Sequence, residues 1–347
     1  KINEVNLLID TASTNLTSLK EQLAAIKGSI STYQEQVKYE DDIEILKNAL
    51  DQYNTFIETI RRHFAMTCKD IHIRDPYILC ENGKYYMYGT RAANFGCKTA
   101  GFDVYVGTDL ENWSEPIEVF NSPKYGFNTE VNWAPEVHKV GDRFYMLATF
   151  TKADGLRGTH ILVSDTPDGQ FKPHSMNSLT PDGWECLDGT LYEEGGKYYC
   201  VFCHEHTQIL NGTVCYVELS DDLTHAVGEP VFLFDAGSYL NRQATEDCHN
   251  VTDGPFMYRL ATGELVMIWS TVSDRYLQLV AKSSDGTIGG EWSHLEPLFT
   301  ENGGHGMIFK GLDGQLRLTL HCPNISYYEK PAFFPIKESN GTLVIAE

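Results

Sequence analysis

Residues able to transfer protons stand at matching places in a repeated stretch of this sequence. A phrase of similar pattern recurs five times, and its copies begin at Asp75, the Trp133-Ala134 step, Asp188, Asp253 and His305. Carboxylates and imidazoles are the side chains that most often act as general acids and bases. If three carboxylates share one pocket, their mutual repulsion raises the pKa of at least one, which costs stability unless the site uses that proton. We therefore treat these residues as one candidate site.

The repeat also predicts the elements that position these residues. Each copy reads as two alternating strands around a glycine turn, at Gly83, Gly141, Gly196, Gly263 and Gly314, so the copies are 51 to 67 residues apart. A further strand and turn follow four of the copies. Four-stranded units at such a spacing are typical of β-propeller blades, whose first strands line a central channel. We expect five blades; a long β-sandwich with internal duplication is the alternative.

Residues 1–66 follow a different period and contain no proline. One heptad seam runs through Leu16, Leu19, Leu23, Ile26, Ile30, Tyr33 and Val37, and a second through Leu46, Leu50, Tyr53, Ile57, Ile60 and Phe64. The polar stretch 39–42 separates them. The predicted fold class is thus mostly β, with a five-bladed β-propeller over residues 67–347 preceded by an α-helical hairpin over 1–66. The hairpin could serve as a spacer, an oligomerisation element or a buttress.

Charge and hydropathy narrow the range of ligands. With 48 acidic and 27 basic residues, the formal net charge is −21, which repels nucleic acid and acidic lipid surfaces. No apolar run reaches the ~18 residues needed to span a bilayer. A neutral ligand is therefore the best expectation, and neither nucleic acid nor a membrane span is expected.

Four motifs in order resemble glycoside hydrolase family 43 over roughly residues 70–325. They are Arg74-Asp75-Pro76-Tyr77-Ile78, Trp133-Ala134-Pro135-Glu136-Val137, Leu187-Asp188-Gly189 and Thr252-Asp253-Gly254-Pro255. The resemblance implies a five-bladed propeller that hydrolyses arabinofuranosides, xylosides and related sugars with inversion. By position, it implies that Asp75 is the general base, Asp253 the general acid, and Asp188 the carboxylate that tunes and orients the acid.

Carboxylate chemistry agrees with this resemblance. Inverting hydrolysis needs one carboxylate to activate water and one protonated carboxyl group to protonate the leaving oxygen, ~6.5–9.5 Å apart. A third carboxylate raises the pKa of the acid, which predicts a bell-shaped rate profile.

One residue departs from the family pattern. The usual acid is Glu before Gly-Pro, whereas this chain has Asp253, whose carboxyl group is ~1.5 Å shorter in reach. Glu246 and Glu136 are alternative acids. If none of the three serves, the propeller would be a carbohydrate-binding protein without catalysis.

Aromatic residues and one histidine complete the predicted site. Trp133, Tyr77 and Phe256 could stack on a sugar ring, although core packing is the competing role. His305 resembles the histidine that holds a metal ion in the channel of many family members, with calcium as the first expectation; the alternative is a channel histidine bonded to water. The chemistry itself requires no cofactor.

The first functional hypothesis is an exo-acting, inverting glycosidase that removes α-L-arabinofuranosyl residues from polysaccharide side chains. A β-xylosidase or galactofuranosidase of the same fold is the near alternative, and loops such as 94–98 and 155–159 would decide between them. A further hypothesis is an assembly protein that self-associates through the helical hairpin. An oligo- or polysaccharide is the expected partner, and such a substrate suggests a secreted, periplasmic or cell-surface location.

Overall fold

The architecture is taken from a computed structural model, which describes residues 2–30, 43–55, 66–91 and 100–346. The chain divides into two compact units, Lys1–Ala65 and Met66–Glu347. The loop 94–98, to which we gave a part in specificity, lies outside the described residues.

The first unit is helical where it is described. Helix α1 covers Ile2–Ile30, and residues 43–55 form helix α2. The heptad positions Leu16, Leu19 and Leu23 are half-buried between exposed neighbours, as the seam predicts. The turn at 39–42 lies outside the described residues, as do the seam positions Tyr33, Val37, Ile57, Ile60 and Phe64. None of the helices described combines the length and hydropathy that a membrane span needs.

The second unit confirms the mostly β prediction, because its described residues form five four-stranded antiparallel sheets whose strands follow chain order. Blade 1 contains β1 (Ile73–Glu81), β2 (Lys84–Arg91), β3 (Phe102–Gly107) and β4 (Ile117–Phe120). Blade 2 contains β5 (Asn132–Val140), β6 (Arg143–Thr151), β7 (Arg157–Ser164) and β8 (Lys172–Pro173). Blade 3 contains β9 (Cys186–Glu194), β10 (Lys197–His204), β11 (Thr213–Leu219) and β12 (Ala226–Asp235). Blade 4 contains β13 (Asp253–Arg259), β14 (Leu265–Val272), β15 (Tyr276–Ser283) and β16 (Trp292–His294). Blade 5 contains β17 (Gly304–Lys310), β18 (Leu316–His321), β19 (Pro331–Ser339) and β20 (Thr342–Ile345).

Among the described residues, short helical turns also lie between these strands. They are a 3₁₀ turn at Ser122–Tyr125, helix α3 (His206–Ile209) and helix α4 (Ala236–Leu240).

The first strands of the blades close into a ring. Strand β1 contacts β5, β5 contacts β9, β9 contacts β13, β13 contacts β17, and β17 returns to β1. A sandwich would leave the first and last repeats apart, so the five-bladed propeller is confirmed. The beginnings of the five inner strands therefore meet around one axis.

Alternation along each strand buries both faces of a blade. On β6, Met146 and Phe150 pack into the apolar cluster shared with blade 1, whereas Leu147 packs into the cluster shared with blade 3. Burial of one such side chain stabilises the fold by about 1.5–3 kcal/mol. Apolar side chains on both faces of a blade thus pack against the two neighbouring blades, and this packing holds the inner strands in place.

Candidate active site

Every inner strand is interrupted by a bulge at the same place. The ladder to the second strand shifts register there, and one residue at each bulge adopts a left-handed backbone conformation. These residues are Asp75 (φ 54°), Ala134 (φ 46°), Asp188 (φ 57°), Gly254 (φ 47°) and His305 (φ 48°). For residues other than glycine this conformation is uncommon and costs about 1–3 kcal/mol, which is typical of functional sites. The bulges turn these side chains towards the axis.

A belt of hydrogen bonds between blades fixes four of the bulges. In each case the backbone N–H of the bulge residue donates to a side chain near the end of the preceding blade's second strand. The pairs are Ala134 to Thr90 Oγ1 (2.7 Å), Asp188 to Thr149 Oγ1 (2.9 Å), His305 to Ser270 Oγ (2.8 Å) and Asp75 to His321 Nδ1 (3.2 Å). A bond of a different kind, from Gly254 N–H to Asp188 Oδ2 at 3.3 Å, joins the remaining pair, blades 3 and 4.

The fourth blade differs from the others by one residue. Gly254, not Asp253, occupies the left-handed position, so the equivalence that we predicted between Asp253 and Asp75 or Asp188 is wrong by one residue. A β-carbon at Gly254 would lie 2.5 Å from Cδ2 of His305. Because the His305 ring fills this space, the blade supplies its carboxylate from the preceding position.

The three aspartates predicted from the sequence converge on His305. Its Nδ1 lies 3.2 Å from Asp75 Oδ1, 3.2 Å from Asp253 Oδ1 and 3.8 Å from Asp188 Oδ2. The four side chains are buried or nearly so, since Asp253 is the most exposed at 21%. All four residues line the same cavity.

Charge in this cluster is balanced around an imidazolium. Burial lowers the pKa of His305, but the carboxylates of Asp75 and Asp188 and the hydrogen bond to Asp253 raise it to about 10. Burial raises the pKa of Asp75, yet the His305 charge, the His321 hydrogen bond and the Arg74 charge together hold it below its usual range. His305 is therefore a cation at neutral pH and Asp75 an anion.

The pKa values of Asp188 and Asp253 shift in opposite directions. Burial raises the pKa of Asp188 well above its usual value; the His305 charge opposes this, and the Asp253 carboxylate raises it further. Burial also raises the pKa of Asp253, but hydrogen bonds with Asp188, His305 and the Tyr276 hydroxyl lower it below its usual range. Of the two carboxyl groups, Asp188 is therefore the one whose protonated form the site favours, and it is hydrogen-bonded to the expected acid.

The imidazolium draws Asp75 and Asp253 together. Since both Oδ1 atoms lie 3.2 Å from Nδ1, their separation cannot exceed twice that distance. The Oδ1 atoms of the expected base and the expected acid therefore both face the same imidazole nitrogen.

These groups form the floor of a cavity of about 400 Å³. Its walls include Trp133, Arg157, Glu205 and Tyr276. The Arg157 guanidinium lies 5.3 Å from the Trp133 ring centre and pairs with Glu205 at 3.0 Å and with Glu185. Because Arg157 covers one face of the indole, a sugar could stack only on the other face of Trp133.

The other predicted residues lie elsewhere. Tyr77 and Glu136 line a second cavity of about 10 Å³ that also contacts Asp75 and His305, and Glu136 bonds His138 at 3.1 Å. Phe256 packs edge-on against Tyr77, with ring centres 6.4 Å apart. Residues beyond a bulge thus face the channel interior and the blade core, so neither aromatic lines the 400 Å³ cavity as predicted.

Glu246 is exposed and lines neither cavity. Of the two alternative acids, Glu136 thus lines the second cavity and Glu246 lines neither, whereas Asp253 lies on the floor of the main cavity.

Sequence reasoning missed three residues that contact the aspartates of the site. Tyr276 donates to Asp253 Oδ2, His321 lies 3.4 Å from Asp75 Oδ1, and Thr90 donates to Asp75 Oδ2 at 2.6 Å. Thr90 and His321 both lie at the end of the second strand of a blade. Because this position recurs in every blade, the repeat could have revealed them. Tyr276 begins β15 and carries no such signal.

Asp188, Asp253 and His305 also form a candidate metal-ligand set, whose ligand atoms lie within 4.8 Å of one another. Two carboxylate oxygens and one imidazole nitrogen fit a divalent cation once Nδ1 has lost its proton, with waters supplying the further oxygens that calcium requires. A bound ion would supply positive charge in place of the imidazolium. Calcium at His305 stays a prediction.

Comparison with known proteins identifies the family. Residues 69–333 match the model of the glycosyl hydrolases family 43. The chain belongs to this family. It is therefore an inverting glycoside hydrolase, and its chemistry needs no cofactor. No curated protein matches the sequence.

Solved structures agree with this family assignment. An endo-arabinase from Bacteroides thetaiotaomicron VPI-5482 is 34% identical, with a TM-score of 0.72 over 80% of this chain and 98% of that one. A thermostable family-43 glycoside hydrolase is 22% identical, with a TM-score of 0.68 over 80% and 93%. An α-L-arabinofuranosidase from Lactobacillus brevis is 17% identical, with a TM-score of 0.63 over 79% and 95%. The last two show likeness of fold alone.

Proposed function

We propose that this glycoside hydrolase removes terminal α-L-arabinofuranosyl residues from polysaccharide side chains. The observation that carries the proposal is that Asp75 and Asp253 both bond His305 Nδ1 on the floor of one cavity. Arabinose is chosen over other pentoses because the 34% identical structure is described as an endo-arabinase.

Asp75 is the proposed general base. Its carboxylate is ionised, and Thr90 donates to Oδ2 while the backbone N–H of Asp75 donates to His321. These bonds fix the direction in which the carboxylate takes a proton from water. The Arg74 guanidinium at the wall bonds Glu329 at 2.7 Å and Asn324 at 2.9 Å, and its charge adds to that of His305 in lowering the pKa of Asp75.

Asp253 is the proposed general acid, with Asp188 as its proton store. The pair carries one proton, and Gly254 N–H donates to Asp188 Oδ2 at 3.3 Å. When a glycosidic oxygen approaches Asp253, the proton moves from Asp188 to Asp253 and then to the leaving group. Asp188 is then an anion paired with the His305 cation, which limits the cost of separating charge in a buried site.

Endo action on arabinan is the second candidate, and the 34% identical endo-arabinase favours it. Chromatography of products from linear arabinan distinguishes the two modes. Exo action releases arabinose alone from the first minutes, whereas endo action releases a ladder of oligosaccharides before arabinose.

A panel of nitrophenyl glycosides tests the reaction and the sugar together. We expect turnover of the α-L-arabinofuranoside above that of the β-xyloside and the galactofuranoside, with inverted product by NMR. Asp75→Asn and Asp253→Asn should abolish turnover, and Glu246→Gln, on an exposed residue outside the cavity, is the matched control. Loss of activity in Glu246→Gln with retention in Asp253→Asn would overturn the assignment of the acid.

Two further proposals concern location and assembly. We propose that the enzyme acts outside the cytoplasm, because its polymeric substrate does not cross a membrane; cell fractionation of the source tests this. We also propose self-association through the heptad seam of helices α1 and α2. Sedimentation of the full chain should show an oligomer that Leu19→Glu dissociates, and an unchanged mass would refute it.

A further inference from the structure

The cavity has an apolar crown on one side. Residues Asn324 and Ser326 line the cavity, while their neighbours Ile325, Tyr327 and Tyr328 are 52%, 54% and 66% exposed. Single exposed apolar residues are common, but a contiguous group beside a binding site marks an interaction surface. We call Ile325, Tyr327 and Tyr328 the crown.

The crown is held in place from below. Asn324 Oδ1 accepts from Arg74 at 2.9 Å and lies 3.2 Å from His321 Nε2, so the root of the crown is bonded to residues that contact Asp75. Tyr328 N–H donates to Ile325 O at 2.9 Å, which closes a turn at the tip. The crown thus projects from a fixed base beside the catalytic floor.

The backbone conformation at the tip of the crown also indicates a binding site. Tyr327 has a φ of 70°, a left-handed conformation that bulky residues rarely adopt, and its carbonyl lies 3.0 Å from His72 Nδ1. Such conformations persist only where surrounding contacts enforce them, and they cluster at ligand-binding sites. The two tyrosines at this turn, Tyr327 and Tyr328, are both more than half exposed.

We propose that the crown binds the sugar units of the polysaccharide chain that lie outside the cavity. This inference rests on the proposed function, because the cavity must process one sugar of that same chain. A cavity of about 400 Å³ holds only a short part of a polymer, so the rest must leave across its rim. Tyrosine suits this role, since its ring packs on the apolar face of a sugar while its hydroxyl bonds sugar hydroxyls.

The charge of the protein selects among polymers. A net charge of −21 repels uronic-acid-rich chains, so the expected ligand is a neutral glycan such as linear arabinan or arabinoxylan. Asn324 and Ser326 make the crown continuous with the substrate cavity. A protein partner on the crown would therefore have to bind there without contacting the cavity.

Affinity electrophoresis in gels containing linear arabinan, arabinoxylan or no polymer tests the inference. The proteins carry Asp75→Asn, so that the polymer is not degraded during the run. Tyr328→Ala in this background should weaken binding about five-fold, the effect of losing one aromatic contact. Phe232→Ala is the matched control, because Phe232 is 57% exposed on β12 of blade 3 and outside the cavity lining.

The second readout is turnover of a nitrophenyl arabinofuranoside with Asp75 intact. Tyr328→Ala should leave it unchanged, because a single sugar does not reach the crown. Equal retardation of Tyr328→Ala and the parent protein, or no retardation of the parent by either polymer, overturns the inference. Retardation that depends on Tyr328, without turnover of any glycoside, supports the crown and refutes the proposed function.

Discussion

Replacing Thr90 by valine should damage both the fold and the catalytic base. Thr90 is 1% exposed, and its hydroxyl donates to Asp75 Oδ2 at 2.6 Å while accepting from Ala134 N–H at 2.7 Å. Valine has the same shape, so the cavity left behind is negligible. Only the two hydrogen bonds are lost, one to the carboxylate and one within the belt between blades 1 and 2.

The size of the effect follows from these two bonds. A hydrogen bond to a charged group contributes about 1.5–3 kcal/mol, and a buried N–H left without a partner costs about 1–3 kcal/mol. Thr90→Val should therefore lower the free energy of unfolding by about 3–5 kcal/mol. If the Asp75 bond is needed for its orientation in the transition state, kcat falls between about ten- and a hundred-fold.

Thr319→Val is a matched control within the same fold. Thr319 is 0% exposed on β18, and its hydroxyl finds no hydrogen-bond partner among the described residues. The same substitution there removes an unsatisfied polar group, so stability should stay constant or rise by about 1 kcal/mol.

Urea unfolding and initial rates on a nitrophenyl glycoside measure both effects for the two variants. Equal unfolding free energies for the two valine variants, or an undiminished kcat for Thr90→Val, would contradict the belt and its link to Asp75.

Three other perturbations test separate parts of the molecule. His160 is 4% exposed with neither ring nitrogen bonded among the described residues, and burial lowers its pKa to about 4. Since the unfolded chain binds more protons than the folded chain between pH 6.5 and 4, the free energy of unfolding should fall by about 3 kcal/mol as the pH drops through that window. His160→Leu should make the Tm less dependent on pH there. Glu329→Gln breaks a buried ion pair with Arg74 and should lower the free energy of unfolding, measured in urea, by about 3 kcal/mol. Asp165→Asn, in an exposed ion pair with Arg143, should change it by less than about 1 kcal/mol. Equal effects of the two variants would refute the role of burial. If calcium binds at His305, dialysis against EGTA should lower Tm and added calcium should restore it, while an unchanged Tm removes the metal prediction.

Fold and carboxylate cluster could be predicted because both repeat along the sequence. Alternating strands around Gly83 and its counterparts reveal the blade, and equivalent blades bring equivalent positions to one axis. Asp75, Asp188 and His305 occupy the same place in three blades, so ring closure alone brings them together. No knowledge of loops or of side-chain contacts is needed for that step.

The walls of the site depend on contacts between blades that no repeat encodes. Tyr276 comes from the third strand of blade 4 and Arg157 from the third strand of blade 2, and both side chains line the cavity. Trp133 lines the cavity, whereas Tyr77 and Phe256 take the alternative of core packing for a related reason: they lie beyond their bulges, so they turn away from the cavity. A bulge reverses facing within two residues, and sequence alternation alone does not locate it.

The exception in blade 4 connects these observations. The His305 ring occupies the space where a side chain at position 254 would lie, so only glycine fits there and the carboxylate must come from position 253. From this earlier position Asp253 still approaches His305 Nδ1 at 3.2 Å, the distance that Asp75 achieves from its own bulge. The missing methylene therefore leaves no gap between the acid and the cluster. Lengthening the side chain by Asp253→Glu would instead push the carboxyl group past Asp188 and Tyr276, which with His305 are the groups that hydrogen-bond it now.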